Sequence, residues 1–265
     1  AIAQVLEDLA KSDALKGAGY KVAIGPSNDL RGINVAAMYK ADKLEVVGIE
    51  QPNPKMAFAR DAGGGQLDPS RLYARAPLVI DFRLTGAAQA TDGSDLLTVA
   101  INHFRSKRGV TDPKNPDGPA DKDAPEQRRQ MQGKFLGDWL DERAETKPTA
   151  ATIVMGDMNA TYADGAYQYL AKRKDGSDRF YDAPLRIPEA SRYTYWFARK
   201  GELLDHVLVS ADKQDAIDAV KILHVNANKD PYRNQWNPKV LAGFSDHDPT
   251  LVTFDVDKLM APAAK

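Results

Sequence analysis

The stretch "TIVMGDMNATYADG", Thr152 to Gly165, decides how the chain is read. Thr152 to Met155 form an apolar run that stops at Gly156, and Asp157 and Asn159 follow with one residue between them. A short apolar run closed by glycine reads as a buried strand. This strand delivers an acid and an amide to its C-terminal end. The same pattern recurs along the chain. "NHFRSKRG" (102–109) follows the run "LLTVAI", "LDHVLV" (204–209) opens another run, and "SDHDP" (245–249) precedes "PTLVTFDV". His103, His206 and His247 lie in these clusters, whereas His224 sits inside the apolar run "VKILHV" and reads as structural.

Working outward, short apolar runs punctuated by Gly, Pro, Asn and Asp recur as "YKVAIG", "INVAAMY", "KLEVVGI", "PLVIDFRL", "LLTVAI", "TIVMG", "LLDHVLV", "VKILHV" and "PTLVTFDV". They predict a β-rich chain. Ile2, Val5, Leu6 and Leu9 at helical spacing predict that the chain opens in an amphipathic helix. A second helix is signalled by Asp123 and Glu126 as a capping box ahead of Met131, Phe135, Leu136, Trp139 and Leu140, which share one face. A third is signalled by Thr161 and Asp164 capping a segment with Ala166, Tyr169 and Leu170. Strands in runs with few helices between them argue for two packed sheets with helices outside. The segment 109–126, rich in Pro, Asp, Gly and Lys, reads as a long surface loop beside a site.

Composition narrows the function. The 265 residues are 43% hydrophobic and 28% charged, enough for a substantial core. Basic and acidic residues balance (36 against 37, net −1), so no global basic field drives non-specific nucleic-acid binding, and any polyanion contact is local. The absence of cysteine removes disulfides, thiolate metal sites and cysteine nucleophiles. No apolar run is long enough to span a membrane, and "AIAQVLEDLA", without a charged n-region or cleavage pattern, does not read as a signal peptide.

Each polar cluster alone is ordinary turn chemistry; together, at the ends of strands, they point to a site. Rival motifs fail by position. An EF-hand starting at Asp157 would need Gly at Tyr162 and Glu at Gln168. "AGGGQLDPS" (62–70) lacks the Gly-Lys-Ser/Thr of a P-loop, and no G-x-S-x-G elbow or H-E-x-x-H pair occurs. What remains is carboxylate, amide and imidazole, an inventory suited to a hard divalent cation and phosphate-ester hydrolysis. Arg105, Lys107 and Arg108 follow His103 and are placed to reach flanking phosphates. In "RYTYWFARK" (192–200), Tyr193, Tyr195 and Phe197 share one face and Trp196 the other; one set reads as core, with stacking of Trp196 or Tyr195 on a base as the alternative. "DPYRNQWNP" (230–238) is a second candidate substrate loop.

With these residues assembled, the chain resembles the endonuclease/exonuclease/phosphatase superfamily. The match is ordered: "RGINVAAMYK", "AINHFRSKRG", "VMGDMNA", "LLDHVLVS" and "FSDHDPTLV". Its wording is most similar to bacterial, often exported, nuclease-type members. The resemblance implies one domain over residues 1–265, a four-layer αββα sandwich with two mixed β-sheets face to face and helices outside. It implies Asp157 as the acid that orients or deprotonates the attacking water and Asn159 as the amide on a phosphate oxygen. His247 is then the imidazole at the scissile phosphate, Asp205 the carboxylate fixing its tautomer, and Asp246, with Asp157, the acid near the cation. His103 is the second imidazole and Asn102 its neighbour. His206 corresponds to no catalytic position, and strand alternation points it away from Asp205. The implied cofactor is Mg2+ or Mn2+, with Ca2+ a further option.

In the family, a strand carrying Asn and another ending in a metal-binding Glu precede the helix that "AIAQVLEDLA" resembles. The chain is therefore expected to begin downstream of the domain start. Three functions fit: a metal-dependent nuclease on DNA or RNA, a hydrolase of a small phosphate ester or lipid headgroup, and a binding module that lost its metal site. The expected partner is nucleic acid or a small ester, with the protein a monomer and, by resemblance only, extracellular or periplasmic.

Overall fold

A computed structural model describes residues 8, 11–12, 15–27, 29, 33–58, 71–107, 123–228 and 245–262. Arg108, residues 109–122 of the loop expected at 109–126, the glycine-rich stretch 62–70 and the substrate loop expected at 230–238 lie outside these residues, and residues 123–126 are helical rather than loop. Of the expected N-terminal helix only Asp8 lies within them, and it is helical, as is Lys11 just beyond.

Twelve strands are present among the described residues. β1 (Tyr20–Ile24) and β2 (Ala36–Lys40) pair antiparallel. β3 (Leu44–Glu50), β4 (Leu78–Leu84), β5 (Leu96–His103), β6 (Ala151–Asp157) and β7 (Phe180–Asp182) belong to a six-stranded mixed sheet that β10 (Asp205–Ser210) completes. Its order is β3-β4-β5-β6-β10-β7. β8 (Tyr195–Phe197) and β9 (Lys200–Glu202) form a hairpin, as do β11 (Ile217–Ile222) and β12 (Thr250–Phe254).

The pleat explains the layering. Along β4, Leu78, Ile80 and Phe82 point to one face, where they meet Ala23 and Val35 and, partly buried, Ala37 and Tyr39 of the β1–β2 hairpin. Ile153 of β6 and Val209 of β10 point the same way, onto Ile217, Val220, Val252 and Phe254 of the β11–β12 hairpin. Leu97 and Met155 touch both clusters, so the two hairpins face one side of the large sheet. Val79, Ala100, Val154 and Leu208 point to the other side, against Leu136, Leu140 and Leu170. The last three come from α1 (Asp123–Thr146) and α2 (Gly165–Ala171).

Only one neighbouring pair in the large sheet, β5 and β6, is parallel, and α1 lies in the connection between them, because a parallel pair needs a long crossover. Gly133 of α1 lets α2 approach: a Cβ there would sit 2.1 Å from the Ala166 carbonyl oxygen. The last turns of α1 are anchored to the sheet by charge. Arg143 donates to both oxygens of buried Asp81 (2.8 and 2.7 Å), and Lys147 and Thr98 also donate to it. These contacts outweigh the cost of burial and hold the Asp81 carboxyl below its usual range.

Three local readings change. α2 buries Ala166, Tyr167, Leu170 and Ala171, while Tyr169 is exposed. A stripe at i, i+1, i+4 and i+5 fits the 3.6-residue period and leaves 169 on the outside. Asp164 accepts from the backbone and hydroxyl of Thr161 before the helix and makes no side-chain cap on it. β11 ends at Ile222, so His224 lies beyond the strand. No helix among the described residues is long and apolar enough to cross a membrane.

Candidate active site

The site begins with strand register. His103 on β5 is paired with Asp157 on β6, and Asp157 is paired with Asp205 on β10. Directly opposed residues leave the same face of a sheet, and strands stand about 4.8 Å apart. One imidazole and two carboxylates therefore form a row across three neighbouring strands. The next row back is Asn102, Gly156 and His206, pointing to the opposite face.

Gly156 in that second row has no substitute. Its φ is +125°, and an added Cβ would sit 2.0 Å from the Asn102 carbonyl oxygen. Gly156→Ala is expected to cost about 2–4 kcal/mol from backbone strain and overpacking. Urea unfolding checks this, and any phosphoesterase activity should fall with it because the adjacent row is displaced.

Asp157 is held from below. The backbone N–H of Asn159 donates to its Oδ1 (2.7 Å), and the Asn159 side-chain amide donates to its Oδ2 (2.8 Å) and to the Phe104 carbonyl (3.2 Å). Asn159 adopts a left-handed backbone (φ 47°), a conformation that Asn tolerates better than most residues. Burial, and secondarily the charge of Asp205, raise the Asp157 carboxyl to about 6.

The fourth group arrives on the loop before β12. His247 forms a bridge with Tyr195, and its Nδ1 lies 2.6 Å from Asp205 Oδ2. Burial opposes a charge on His247, but the hydrogen bond and charge of Asp205 outweigh it and raise the imidazole to about 9. Asp248 anchors this loop. It is 2% exposed and accepts from the backbone N–H groups of Asn226 (2.7 Å) and Ala227 (3.0 Å) and from His224 Nδ1 (2.9 Å). His224 also stacks on Tyr193, centroids 4.0 Å apart. Buried Thr194 accepts through its hydroxyl from Leu204 and Asp205 N–H, fixing the start of β10.

These groups open into a cleft of about 990 Å3, lined among others by His103, Asp157, Asn159, Asp205, Asp246 and His247. Lys107 lines it too, pairing with Glu202 (3.1 Å) and Asp164 (3.6 Å). Three predicted substrate contacts are elsewhere. Trp196 is not on the cleft wall: the pleat of β8 turns Tyr195 and Phe197 inward and leaves Trp196 edge-on against Tyr193. Asn102 is 3% exposed behind the row, its amide donating to the Ala100 carbonyl. Arg105 is outside the lining, its N–H held by Gln132. Sequence reasoning missed Arg75, a buried residue whose guanidinium lies 3.0 Å from His103 Nδ1, because nothing in "YARAPLV" marks it.

The donor set fits a hard divalent cation. Oxygens of Asp157 and Asp205 and a ring nitrogen of His247 lie within 4.8 Å of one another; the two carboxylates can ligate, whereas His247, held protonated, cannot. Two carboxylates side by side repel, which adds to burial in raising Asp157, and a cation would relieve that repulsion. Asp246 lies at the exposed rim, outside this group.

A sequence profile described as Endonuclease/Exonuclease/phosphatase family matches residues 2–256. The chain belongs to the endonuclease/exonuclease/phosphatase family. Its members are phosphoesterases, and solved structures share the sandwich. The human Nocturnin catalytic domain with bound sulfate superposes with a TM-score of 0.52 at 14% identity, covering 95% of this chain and 76% of that one. D. rerio TDP2 complexed with single strand DNA product gives 0.55 at 16%, covering 95% and 82%. A family protein from Bacteroides vulgatus gives 0.54 at 16%, covering 94% and 80%. No curated protein matches the chain in sequence. At these identities the likeness speaks for the family fold.

Proposed function

We propose that the protein is a divalent-metal-dependent phosphodiester hydrolase, most directly a nuclease, in which water attacks phosphorus in line. The observation that carries this reading is the row His103–Asp157–Asp205, with His247 bonded to its last member. Asp157 and Asp205 would hold the cation, with Asp246 at the rim. When bound, it supplies positive charge against the negative charge that builds on the phosphoryl and leaving oxygens.

The side chains divide the remaining work. Asp157, held by two bonds from Asn159, orients the water and takes its proton. Both Asn159 amide hydrogens are engaged, so Asn159 acts on phosphate only by exchanging one of these bonds. His247, kept charged by Asp205, donates to the phosphoryl or leaving oxygen through Nε2. Lys107 at the mouth suits a flanking phosphate.

Two pH effects follow. Cation binding needs Asp157 ionised, so affinity for Mn2+ should fall as pH drops through about 6, measurable by calorimetry. The rate should also decline as pH rises through about 9, where His247 loses its proton.

The DNA-product complex of TDP2 supports a nucleic-acid substrate. One observation favours a small phosphate ester instead: among the described residues, Asp157, Asp205, Asp246 and Glu202 outnumber Lys107 on the cleft wall, so these residues offer no basic track for a polymer. Comparing kcat/KM for DNA, RNA and small phosphate diesters and monoesters with Mg2+ or Mn2+ decides between them. Preference for the polymers upholds the nuclease reading, and turnover confined to small esters replaces it.

A further inference from the structure

The two cleft histidines face opposite partners through the same atom. Nδ1 of His247 meets a carboxylate, whereas Nδ1 of His103 meets the guanidinium of Arg75 at 3.0 Å. Arginine has only hydrogen-bond donors and stays protonated. The Nδ1 of His103 must therefore accept, and its lone pair is committed to Arg75. The single ring proton is left on Nε2, which lies 3.4 Å from Asp157 Oδ2 within the cleft. Arg75 is built in rather than passing by. It is 8% exposed, just ahead of β4, with its Nε 3.9 Å from the carboxylate of half-buried Asp29.

We infer that Arg75 is a positioning residue that fixes His103 as the Nε2–H tautomer, so that His103 presents a hydrogen-bond donor to the reacting phosphate and supplies no proton. The assignment of work to the two histidines then follows from their neighbours. His247, donating to Asp205 through Nδ1, can carry a second proton on Nε2 and give it up. His103, with Nδ1 occupied by a donor, has no lone pair free for a second proton. It stabilises charge on a phosphoryl oxygen as a fixed dipole, in the manner of an oxyanion-hole donor. The role at phosphate rests on the hydrolase reading above, whereas the tautomer does not.

The test is long-range 1H–15N correlation spectroscopy of histidine-labelled, metal-free protein at neutral pH. His103 should show an unprotonated Nδ1 and a protonated Nε2. Arg75→Met should shift His103 toward a mixture of tautomers, and Arg75→Lys, which keeps a donor, should restore the wild-type pattern. On whichever phosphodiester is hydrolysed, Arg75→Met should lower kcat about 10- to 100-fold with little change in KM, a loss smaller than that of a disabled proton donor. Lysine should recover most of it. A wild-type His103 carrying its proton on Nδ1, or on both nitrogens, overturns the inference, as does an Arg75→Met spectrum identical to wild type. If Arg75→Met fails to fold, the wild-type and Arg75→Lys spectra decide. The expected tautomer in a protein without hydrolase activity would uphold the Arg75 assignment and sink the hydrolase reading.

Discussion

His247→Ala is expected to lower turnover of a phosphodiester by about a thousand-fold, within the range for loss of a positioned proton donor. The reason lies in three features that meet at one ring. The imidazole lines the cleft, Asp205 takes its Nδ1–H at 2.6 Å, and the same carboxylate raises it to about 9, so it is charged at neutral pH. Of the cleft's two histidines, it is the one held in the charged state. Asp205→Asn should cost at least as much, about a thousand- to ten-thousand-fold, because an amide removes the charge that favours the ring's proton and no longer selects its tautomer. It should also move the alkaline limb of the rate profile below 9. Single-turnover rates at saturating metal check both variants, with circular dichroism confirming the fold. Equal rates for His247→Ala and wild type would remove His247 from the mechanism.

The second large effect is on stability. His206 is 1% exposed, and both ring nitrogens face acceptors: Nδ1 meets Asp182 at 2.7 Å and Nε2 the Ala160 carbonyl at 2.7 Å. A ring between two acceptors satisfies both only when both nitrogens carry protons. Burial opposes that charge, yet Asp182 and the carbonyl overcome it and raise the pKa of His206. His206→Ala would leave Asp182, which is fully buried, without this partner. The expected loss is about 3–5 kcal/mol, the cost of breaking a buried pair from one side. Replacing His206 and Asp182 together by leucine should cost less than the single change.

The pair also sets a pH dependence. The folded pKa of His206 lies above the unfolded value of about 6.5, so its stabilisation is complete below that value and is lost as pH rises through the folded pKa. Urea denaturation across alkaline pH should show wild type losing this increment and His206→Ala lacking it from the start. A loss under 1 kcal/mol for His206→Ala would contradict the buried-pair account.

Much of the sandwich was legible because strand cores announce themselves by composition. "PLVIDFRL", "LLTVAI" and "TIVMG" became three adjacent central strands. The short strands β7, β8 and β9 were not legible as strands, because three residues are too few to show a period. The second sheet appears among the described residues as two separate hairpins, which no local pattern could foretell. At the site, Asp157, Asn159, Asp205, His103 and His247 could be picked out because each lies at or within a few residues of a strand end. Trp196 was misplaced because pleat phase depends on where a three-residue strand starts, and "TYWFA" does not show it. Arg75, Thr194 and Asp248 escaped notice for a different reason: they act through contacts with residues far along the chain, at spacings that carry no motif.

Cation-assisted hydrolysis of phosphodiesters at this one cleft can be measured by nicking of supercoiled plasmid DNA. The full chain should convert supercoiled to relaxed plasmid with Mg2+ or Mn2+, and both EDTA and His247→Ala should abolish the conversion. Nicking that persists in EDTA, or that His247→Ala carries out at the wild-type rate, would contradict it.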